Sequence, residues 1–387
     1  MTTTSTPTLL RGGRIVTSAG VLDDGWLTVR DEVIEQVGRG TPGYRTEPDA
    51  PVVDLAGAWV LPGFVDVHCH GGGGASYTER DPERLAAAAA AHRRHGTTTT
   101  LASLVSDPIP ELVEQVAALR DLVRDGLFAG IHLEGPFISA VRCGAHDPSM
   151  LMAPDRQSVD RLLAAGQGTI RMVTLAPELD GAVDAVRRFT DAGVIVGIGH
   201  TDATLAQVRP AVDAGATVAT HLFNGMRPLH HREPGPIGAL LDDERVTVEL
   251  ICDLVHLHPT VVRMAARHAG PGRTVLVTDA MAAAGVGDGV YQVGGLRVTV
   301  RDGVPTLDGG GALAASTLTL DAAVRNFVQS CGMTMVEAAA AVSGQPAALL
   351  GRQGSIGSVA AGAQADLVVL DDSLHVTGVM DRGTWVA

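Results

Sequence analysis

The sequence predicts an α/β fold, a (β/α)8 TIM barrel with a small β-sandwich domain formed by the N- and C-terminal segments. Three observations support this prediction. Eight β-type runs alternate with helical segments between Gly57 and about Leu350, the runs are almost continuously apolar, and both ends of the chain consist of short segments of alternating polarity. Eight βα units in about 290 residues match the size and order of a TIM barrel, whose strands are buried on both faces.

The predicted barrel strands are short, and helical segments or loops separate them. They are, in chain order, Val60–His68, Thr97–Val105, Leu127–Leu133, Thr169–Leu175, Val194–Gly199, Thr217–Leu222, Val246–Cys252 and Thr274–Thr278. Several helices have recognisable ends. Asp81 is a predicted N-cap, with Pro82 at the first helical position. Thr201 and Asp202 are predicted to begin a helix that Pro210 kinks or shortens.

The two ends of the chain are predicted to form one β domain. Residues 8–56 and 354–387 contain short alternating segments typical of hairpins. The predicted division is therefore a small β domain from residues 1–56 and 354–387, and a metal-dependent TIM-barrel catalytic domain from residues 57–353. Segment 290–308 is predicted to be a hairpin inserted after the eighth barrel strand.

The composition excludes several functions. A net charge of −14 over 387 residues argues against a nucleic-acid partner or a general anionic surface, although a small anionic ligand could still bind a local Arg or His site. All 29 basic residues are arginine, which excludes a lysine Schiff base. It also excludes a carboxylated lysine between two metal ions, so any bridging carboxylate must be Asp or Glu.

The chain is expected to be soluble and cytoplasmic, with no membrane partner. The N-terminus has no basic region followed by an apolar one, and no uncharged apolar stretch reaches the roughly 18 residues that span a bilayer. The cysteines are scattered and form no CxxC pair, which favours a reducing compartment over a disulfide framework; they are Cys69, Cys143, Cys252 and Cys331.

The most informative motif is His68-Cys69-His70, which follows an apolar run and precedes four glycines. Residues i and i+2 of a strand point to the same face, so both imidazoles are expected to project together. Two convergent imidazoles are half of a site for a first-row transition metal. A chance pair of surface histidines is the alternative for an isolated motif of this kind.

Further polar residues follow other predicted strands at the end where barrel enzymes place their sites. Each alone has an ordinary explanation, because an Asp or Glu there can cap a helix and a His can pack against a strand without a functional role. Together, imidazoles and carboxylates at several strand ends form the ligand set of a mono- or dinuclear metal centre. These residues are Glu134, His200, His221, Asp253, His256 and Asp279.

Several stretches of the sequence resemble a known superfamily. They are PGFVDVHCHGGGG, HLEGPFIS, CGAHDP, VGIGHTDAT, THLFNGMRPLHHREPG, VTDAM and GALAAST. They resemble the amidohydrolase superfamily and, within it, the N-acetylglucosamine-6-phosphate deacetylase family. The resemblance covers essentially the whole chain, and HLEGPF and THLFNGM followed by REPG are its most specific parts.

The resemblance implies one or two divalent metal ions per subunit, with Zn²⁺ expected. Glu134, His200 and His221 would hold the main ion. His68 and His70 would hold a second, with Glu134 bridging, and Asp279 would complete the ligand set. Asp279 would also be the general base and acid, and His146 would donate to the developing oxyanion.

The resemblance also implies how the phosphorylated amino sugar is bound. Arg232 would contact the phosphate and would reach the site of the neighbouring subunit, which implies a homodimer. Asn224, the backbone N–H of Gly225 and His256 would add donors, and His146 also contributes to substrate binding. Leu313 would line the acetyl side.

Two other functions remain open from the sequence. The chain could be another amidohydrolase, acting on a cyclic amide or as a deaminase, although the absent lysine removes the carbamate-bridged types. It could also be a non-catalytic barrel that binds sugar phosphate or serves as an assembly partner. The set Glu134, His200, His221 and Asp279 argues against that last possibility.

Overall fold

Eight parallel strands form the central sheet, and each strand pairs with the next one along the chain. The structure, a computed structural model, describes residues 6–41, 50–309 and 311–387. The barrel strands, first to eighth, are Phe64–Asp66, Thr97–Leu104, Gly130–Glu134, Ile170–Leu175, Ile195–Ile198, Ala216–Ala219, Thr247–Ile251 and Thr274–Val277. The residues that follow the eighth strand bond to those that follow the first: Asp279 N–H donates to the His68 carbonyl at 2.8 Å, and Cys69 bridges to Ala280. The predicted TIM barrel is confirmed.

Helices alternate with the strands. The α-helices are Pro82–Arg93, Ile109–Arg124, Arg156–Gly166, Ala182–Asp191, Leu205–Asp213, Gly235–Asp242, Pro259–Ala269, Leu320–Arg325, Met335–Ala339 and Gln345–Leu349. Short 3₁₀ turns cover Ala140–Arg142 and Pro148–Met150, and π-helical segments cover Asn326–Ser330 and Ala340–Gly344. Among the described residues, none of these helices combines the length and apolar character needed to cross a membrane.

One helix begins later than the sequence predicts. Thr201 and Asp202 were expected to start it, but Glu178 accepts hydrogen bonds from the Thr201 hydroxyl and the Asp202 N–H. The helix begins instead at Leu205 with a capping box between Thr204 and Gln207. Four residues separate His200 from Leu205, so His200 lies in the loop between the fifth barrel strand and this helix.

The first predicted barrel strand is divided into two. Trp59–Pro62 pairs in the sheet of the chain ends, and Phe64–Asp66 is the barrel strand. Gly63 lies between them, and a Cβ there would be 2.3 Å from the Thr98 hydroxyl oxygen. The chain therefore changes sheets at a residue that has no side chain to accommodate.

The two chain ends form a mixed eight-stranded sheet. Its strands are Thr8–Thr17, Gly20–Arg30, Val33–Arg39, Val52–Asp54, Trp59–Pro62, Leu367–Leu370, Val376–Asp381 and Thr384–Trp385. The two ends meet where Leu367–Leu370 runs antiparallel to Trp59–Pro62. Buried Leu10, Ile15, Leu27 and Leu367 belong to its apolar core.

A three-stranded sheet follows the eighth barrel strand, where the sequence predicts a hairpin. Its strands are Gly289–Val293, Leu296–Arg301 and Val304–Leu307, and a two-stranded ribbon pairs Gly71–Gly72 with Ala75–Ser76. An apolar cluster joins Val293 and Val298 of the inserted sheet to Val105 and Met281. The insertion is therefore packed against residues that follow barrel strands.

Residue contacts divide the chain into two compact units. One comprises Met1–Val65, His92–Thr99 and Leu320–Ala387, and the other comprises Asp66–Ala91 and Thr100–Thr319. The predicted domain bounds at residues 56 and 354 stay a prediction. All of the candidate site residues belong to the second unit.

Candidate active site

A cavity of about 260 Å³ lies at the carboxyl ends of the barrel strands. Polar side chains from several strand ends share it with apolar side chains from the loops. Its lining residues are His70, Val105, Glu134, Gly144, Ala145, His146, His200, His221, Asn224, Gly225, His256, Asp279, Val293, Leu313 and Ala315. Most of the predicted site residues are therefore brought together.

Five of the predicted metal ligands lie at, or just beyond, the carboxyl ends of barrel strands. His68, His200, His221 and Asp279 each lie two residues after the end of a strand, and Glu134 is the last residue of the third. The backbone φ is +44° at His200, +29° at His221 and +49° at Asp279. Non-glycine residues rarely adopt such angles, and they are found mostly where surrounding structure holds them at functional sites.

Glu134 is the centre of the cluster. Its Oε1 lies 3.1 Å from His200 Nε2 and 2.9 Å from His221 Nε2, and these two nitrogens are 3.1 Å apart. All three side chains are buried. Three ligand atoms this close can converge on one cation.

The other carboxylate oxygen of Glu134 faces a second group. Oε2 lies 3.0 Å from His70 Nε2, which is 3.1 Å from Asp279 Oδ1 and 3.2 Å from His68 Nε2. His68, His70, Glu134 and Asp279 all present ligand atoms within 4.8 Å of one another. Because Glu134 belongs to both groups, it is placed to bridge two ions.

The opposite ring nitrogens fix how these imidazoles are protonated. Nδ1 of His70 is 3.2 Å from the Ser103 carbonyl, and Nδ1 of His200 is 2.8 Å from the Arg142 carbonyl. A carbonyl oxygen only accepts, so each Nδ1 carries a proton and Nε2 is the nitrogen that faces the carboxylates. Imidazole nitrogens arranged in this way with carboxylate oxygens fit a divalent cation.

The electrostatics of the cluster favour positive charge at its centre. Burial opposes the charged form of His70, but hydrogen bonds to Asp279 and Glu134 outweigh it and raise the pKa of His70 to about 9. Burial alone would raise the pKa of Asp279, but the charge on His68 and the hydrogen bond from His70 outweigh it and lower that pKa to about 2. Burial is likewise outweighed at Glu134, where His68, His146 and His200 lower the pKa well below its usual range. Both carboxylates therefore stay ionised.

His146 is held as a neutral donor that points into the cavity. The Ser106 backbone N–H donates to its Nδ1 at 3.2 Å, so the ring proton lies on Nε2. Burial lowers the pKa of His146, which keeps the ring uncharged. Its Nε2 lies 3.5 Å from Glu134 Oε2, next to the metal-ligand cluster.

His256 is oriented by a neighbouring carboxylate. Asp253 Oδ2 lies 2.6 Å from His256 Nδ1, while Oδ1 accepts the backbone N–H groups of Val255 and His256, each at 2.9 Å. Burial opposes charge on His256, but the hydrogen bond to Asp253 outweighs it and raises the pKa of the ring. The intervening Leu254 has φ +66°, so these hydrogen bonds hold a turn that favours glycine.

Three other predicted substrate-binding residues line the cavity, and one does not. Asn224, Gly225 and Leu313 face it. Gly225 has φ +59°, and a Cβ there would be 2.8 Å from His200 Nδ1, so glycine permits the close approach. Arg232 is exposed, with Nη1 2.8 Å from His231 Nε2, and it does not line the cavity of its own chain.

Comparison with known proteins agrees with this geometry. The amidohydrolase family model matches residues 59–386. The chain is 38% identical to the N-acetylgalactosamine-6-phosphate deacetylase of Escherichia coli O157:H7, over 97% of this chain and 98% of that protein. The chain belongs to the amidohydrolase family.

Two further relatives are N-acetylglucosamine-6-phosphate deacetylases. This amidohydrolase is 35% identical to the enzyme of Bacillus subtilis (strain 168), over 97% of this chain and 96% of that protein. A mutant of the Mycobacterium smegmatis enzyme in complex with N-acetyl-D-glucosamine-6-phosphate is 45% identical, with a TM-score of 0.94 over 98% of this chain and 99% of that chain.

Sequence reasoning missed part of the cavity of this amidohydrolase. Val105 and Val293 line it, but they come from a barrel strand end and from the inserted sheet, and no local pattern relates them. His132 was also missed, although it lies two residues before Glu134 on the same strand. It is fully buried, with Nδ1 2.9 Å from Ser103 Oγ and Nε2 2.9 Å from Thr174 Oγ1. Together these three side chains form a polar layer inside the barrel.

Loss of one imidazole ligand should lower the metal content of this amidohydrolase. We expect His221→Ala to bind much less divalent metal, because His221 Nε2 lies next to both Glu134 and His200. Elemental analysis after dialysis against a chelator measures this, with exposed His268→Ala as the matched control. A wild-type protein that holds no metal under metal-replete conditions, or a His221→Ala variant with undiminished content, would contradict the assignment.

Proposed function

We propose that this amidohydrolase hydrolyses the acetamido group of N-acetyl-D-glucosamine 6-phosphate, giving D-glucosamine 6-phosphate and acetate in amino-sugar catabolism and recycling. One observation carries the proposal: Glu134, His200 and His221 converge beside Asp279 and His146 in one cavity. Relatives that are named for this activity, and that are 35–45% identical over nearly the whole chain, support the choice of substrate.

The metal centre is proposed to use two overlapping groups of ligands. Glu134, His200 and His221 would hold the main ion. His68, His70 and Asp279 would hold a second, and Glu134 would be shared between the two groups. Zn²⁺ is the proposed metal, because it accepts imidazole nitrogen together with carboxylate oxygen. When bound, a divalent cation lowers the pKa of water from about 15.7 toward about 7 and polarises the carbonyl.

Asp279 is proposed as the proton carrier. Its low pKa keeps it ionised, and it borders the cavity beside His70. It takes a proton from the attacking water as the water oxygen bonds to the acetamido carbonyl carbon. It then delivers that proton to the amine nitrogen as the C–N bond breaks, so that a free amine and acetate leave.

His146 is proposed to stabilise the oxyanion that forms on the carbonyl oxygen. Its Nε2–H points toward the cluster and its Nδ1 is fixed by the Ser106 N–H, so the donor needs no reorientation during the reaction. Preorganised donors of this kind are among the largest contributions to catalysis of acyl transfer.

Phosphate recognition is proposed to need a second copy of the chain. Asn224, Gly225 and His256 border the cavity, whereas Arg232 is exposed at the surface of its own chain. A homodimer would bring Arg232 of one subunit to the phosphate in the other, where its planar guanidinium suits a bidentate contact. Leu313, with Val105 and Val293, would surround the acetyl methyl group.

The C4 epimer is a second candidate substrate. A relative covering 97% of this chain is named for N-acetylgalactosamine 6-phosphate. Comparing kcat/KM for the two sugar phosphates decides between them, and the proposal requires the larger value for the gluco epimer.

A cytoplasmic location is supported only by the scattered cysteines and stays a prediction.

Replacing the proposed base should remove most of the turnover without unfolding the protein. We expect Asp279→Asn to reduce kcat by about 10²–10⁴-fold, because the amide cannot accept the water proton. Acetate release at saturating substrate measures it, with exposed Asp213→Asn as the control. Wild-type turnover in a folded, metal-loaded Asp279→Asn protein would exclude Asp279 as the base.

Replacing His146 should affect the reaction more than substrate binding. We expect His146→Ala to lower kcat by about 10²–10³-fold with a smaller change in KM, because the donor acts on charge that develops during the reaction. Steady-state kinetics of acetate release measure both constants. An effect confined to KM would contradict the proposed role.

Mixing two variants with different defects tests whether Arg232 acts between subunits. Arg232→Ala alone should raise KM for the phosphorylated sugar. When Arg232→Ala and Asp279→Asn proteins are unfolded, mixed and refolded, hybrid dimers would contain one site with native Asp279 and native Arg232. At a substrate concentration well below the KM of Arg232→Ala, the mixture should therefore be more active than either variant refolded alone. No recovery in demonstrated hybrid dimers would show that Arg232 does not act in the neighbouring site.

A further inference from the structure

Glu249 is a fully buried carboxyl side chain on the seventh barrel strand. It lies in the run VTVELIC, where its neighbours Val248, Leu250 and Ile251 are buried and apolar. Charged residues are almost never fully buried unless they have a partner, so its presence among apolar neighbours needs a specific reason.

One oxygen of Glu249 contacts both groups of predicted metal ligands. Oε2 lies 3.2 Å from His68 Nδ1 and accepts the His221 backbone N–H at 3.1 Å. His68 belongs to one ligand group and His221 to the other. The other oxygen, Oε1, has no hydrogen-bond partner among the described residues. Buried polar atoms normally have hydrogen-bond partners, so a Glu whose only role was to stabilise the barrel would not leave one oxygen unpaired.

The geometry excludes Glu249 as a further ligand in the metal-ligand cluster around Glu134. It approaches His68 at Nδ1, whereas Nε2 on the opposite side of that ring faces Glu134 and Asp279, each at 3.4 Å. The corresponding Nδ1 atoms of His70 and His200 face neutral backbone carbonyls. Of these three histidines, only His68 therefore has a carboxyl group behind it.

The contact with His221 concerns the backbone. His221 has φ +29°, an angle that persists only where neighbouring structure holds it. Its N–H bond to Glu249 is one such constraint, and the Leu222 N–H donates to the Glu249 carbonyl at 2.9 Å. The seventh strand thus fixes the turn that directs the His221 ring at Glu134.

We propose that Glu249 is a positioning residue of the metal centre. It holds the proton of His68 on Nδ1, which directs the Nε2 lone pair at the metal, and it anchors the backbone that carries His221. One carboxyl group thereby couples the two ligand groups without touching substrate. The inference rests on the proposed metal-dependent function.

Two substitutions separate the charge of Glu249 from its hydrogen bonds. Glu249→Gln keeps an acceptor oxygen but cannot be negative, and Glu249→Leu removes both acceptors at similar size. Glu35→Gln is the matched control, because it makes the same change in a partly buried Glu of the chain-end sheet that contacts Arg30 rather than a predicted ligand. The measurements are Zn²⁺ affinity by competition with a chromogenic chelator and the visible spectrum of the Co²⁺-substituted protein.

We expect Glu249→Gln to weaken Zn²⁺ binding by about 10- to 100-fold and to change the Co²⁺ spectrum, as is typical when the outer partner of a metal-ligating His is lost. Glu249→Leu should weaken it further, and Glu35→Gln should leave both readouts unchanged. Wild-type Zn²⁺ affinity and Co²⁺ spectrum in folded Glu249→Gln would overturn the proposal, even if Glu249→Leu fails to fold. Failure of the wild type itself to bind metal would instead refute the metal centre, and normal metal binding without acetate release would refute only the substrate.

Discussion

Imidazole lone pairs repel one another, yet two pairs of Nε2 atoms lie 3.1 and 3.2 Å apart around Glu134. The arrangement is favourable only if positive charge lies among them, supplied either by protons or by a metal ion. The raised pKa of His70 and the lowered pKa values of Glu134 and Asp279 express the same requirement. The rest of the site depends on this concentration of donors, because the proposed activation of water needs a cation at that place.

The barrel makes this convergence possible, and the surrounding contacts maintain it. Four of the ligands lie two residues beyond separate strands, and three of them have strained backbones. Backbone carbonyls of Ser103 and Arg142 and the side chain of Glu249 hold the outer nitrogens of three rings. The site is therefore built into the strand ends, and the loops above it add His146, the substrate-binding residues and the apolar wall.

Much of this could be predicted from the sequence because the barrel repeats a local pattern. Apolar runs marked the strands, and polar residues after them marked Glu134, His200 and His221 as a group of candidate ligands, whereas their assignment to the main ion came from the family resemblance. The division of the first predicted strand at Gly63 could not be predicted, because it depends on contact with Thr98, which lies on a later strand. Glu249 was hidden within an apolar run, and Val293 reaches the cavity through a distant insertion; both depend on tertiary packing.

The location of bound metal tests the central claim most directly. Crystals grown with Zn²⁺, with diffraction data collected on both sides of the zinc absorption edge, would give an anomalous difference map. The account predicts a peak at about 2.0–2.2 Å from Glu134, His200 and His221. Active crystals with no peak between these three residues, or with zinc bound only elsewhere, would contradict it.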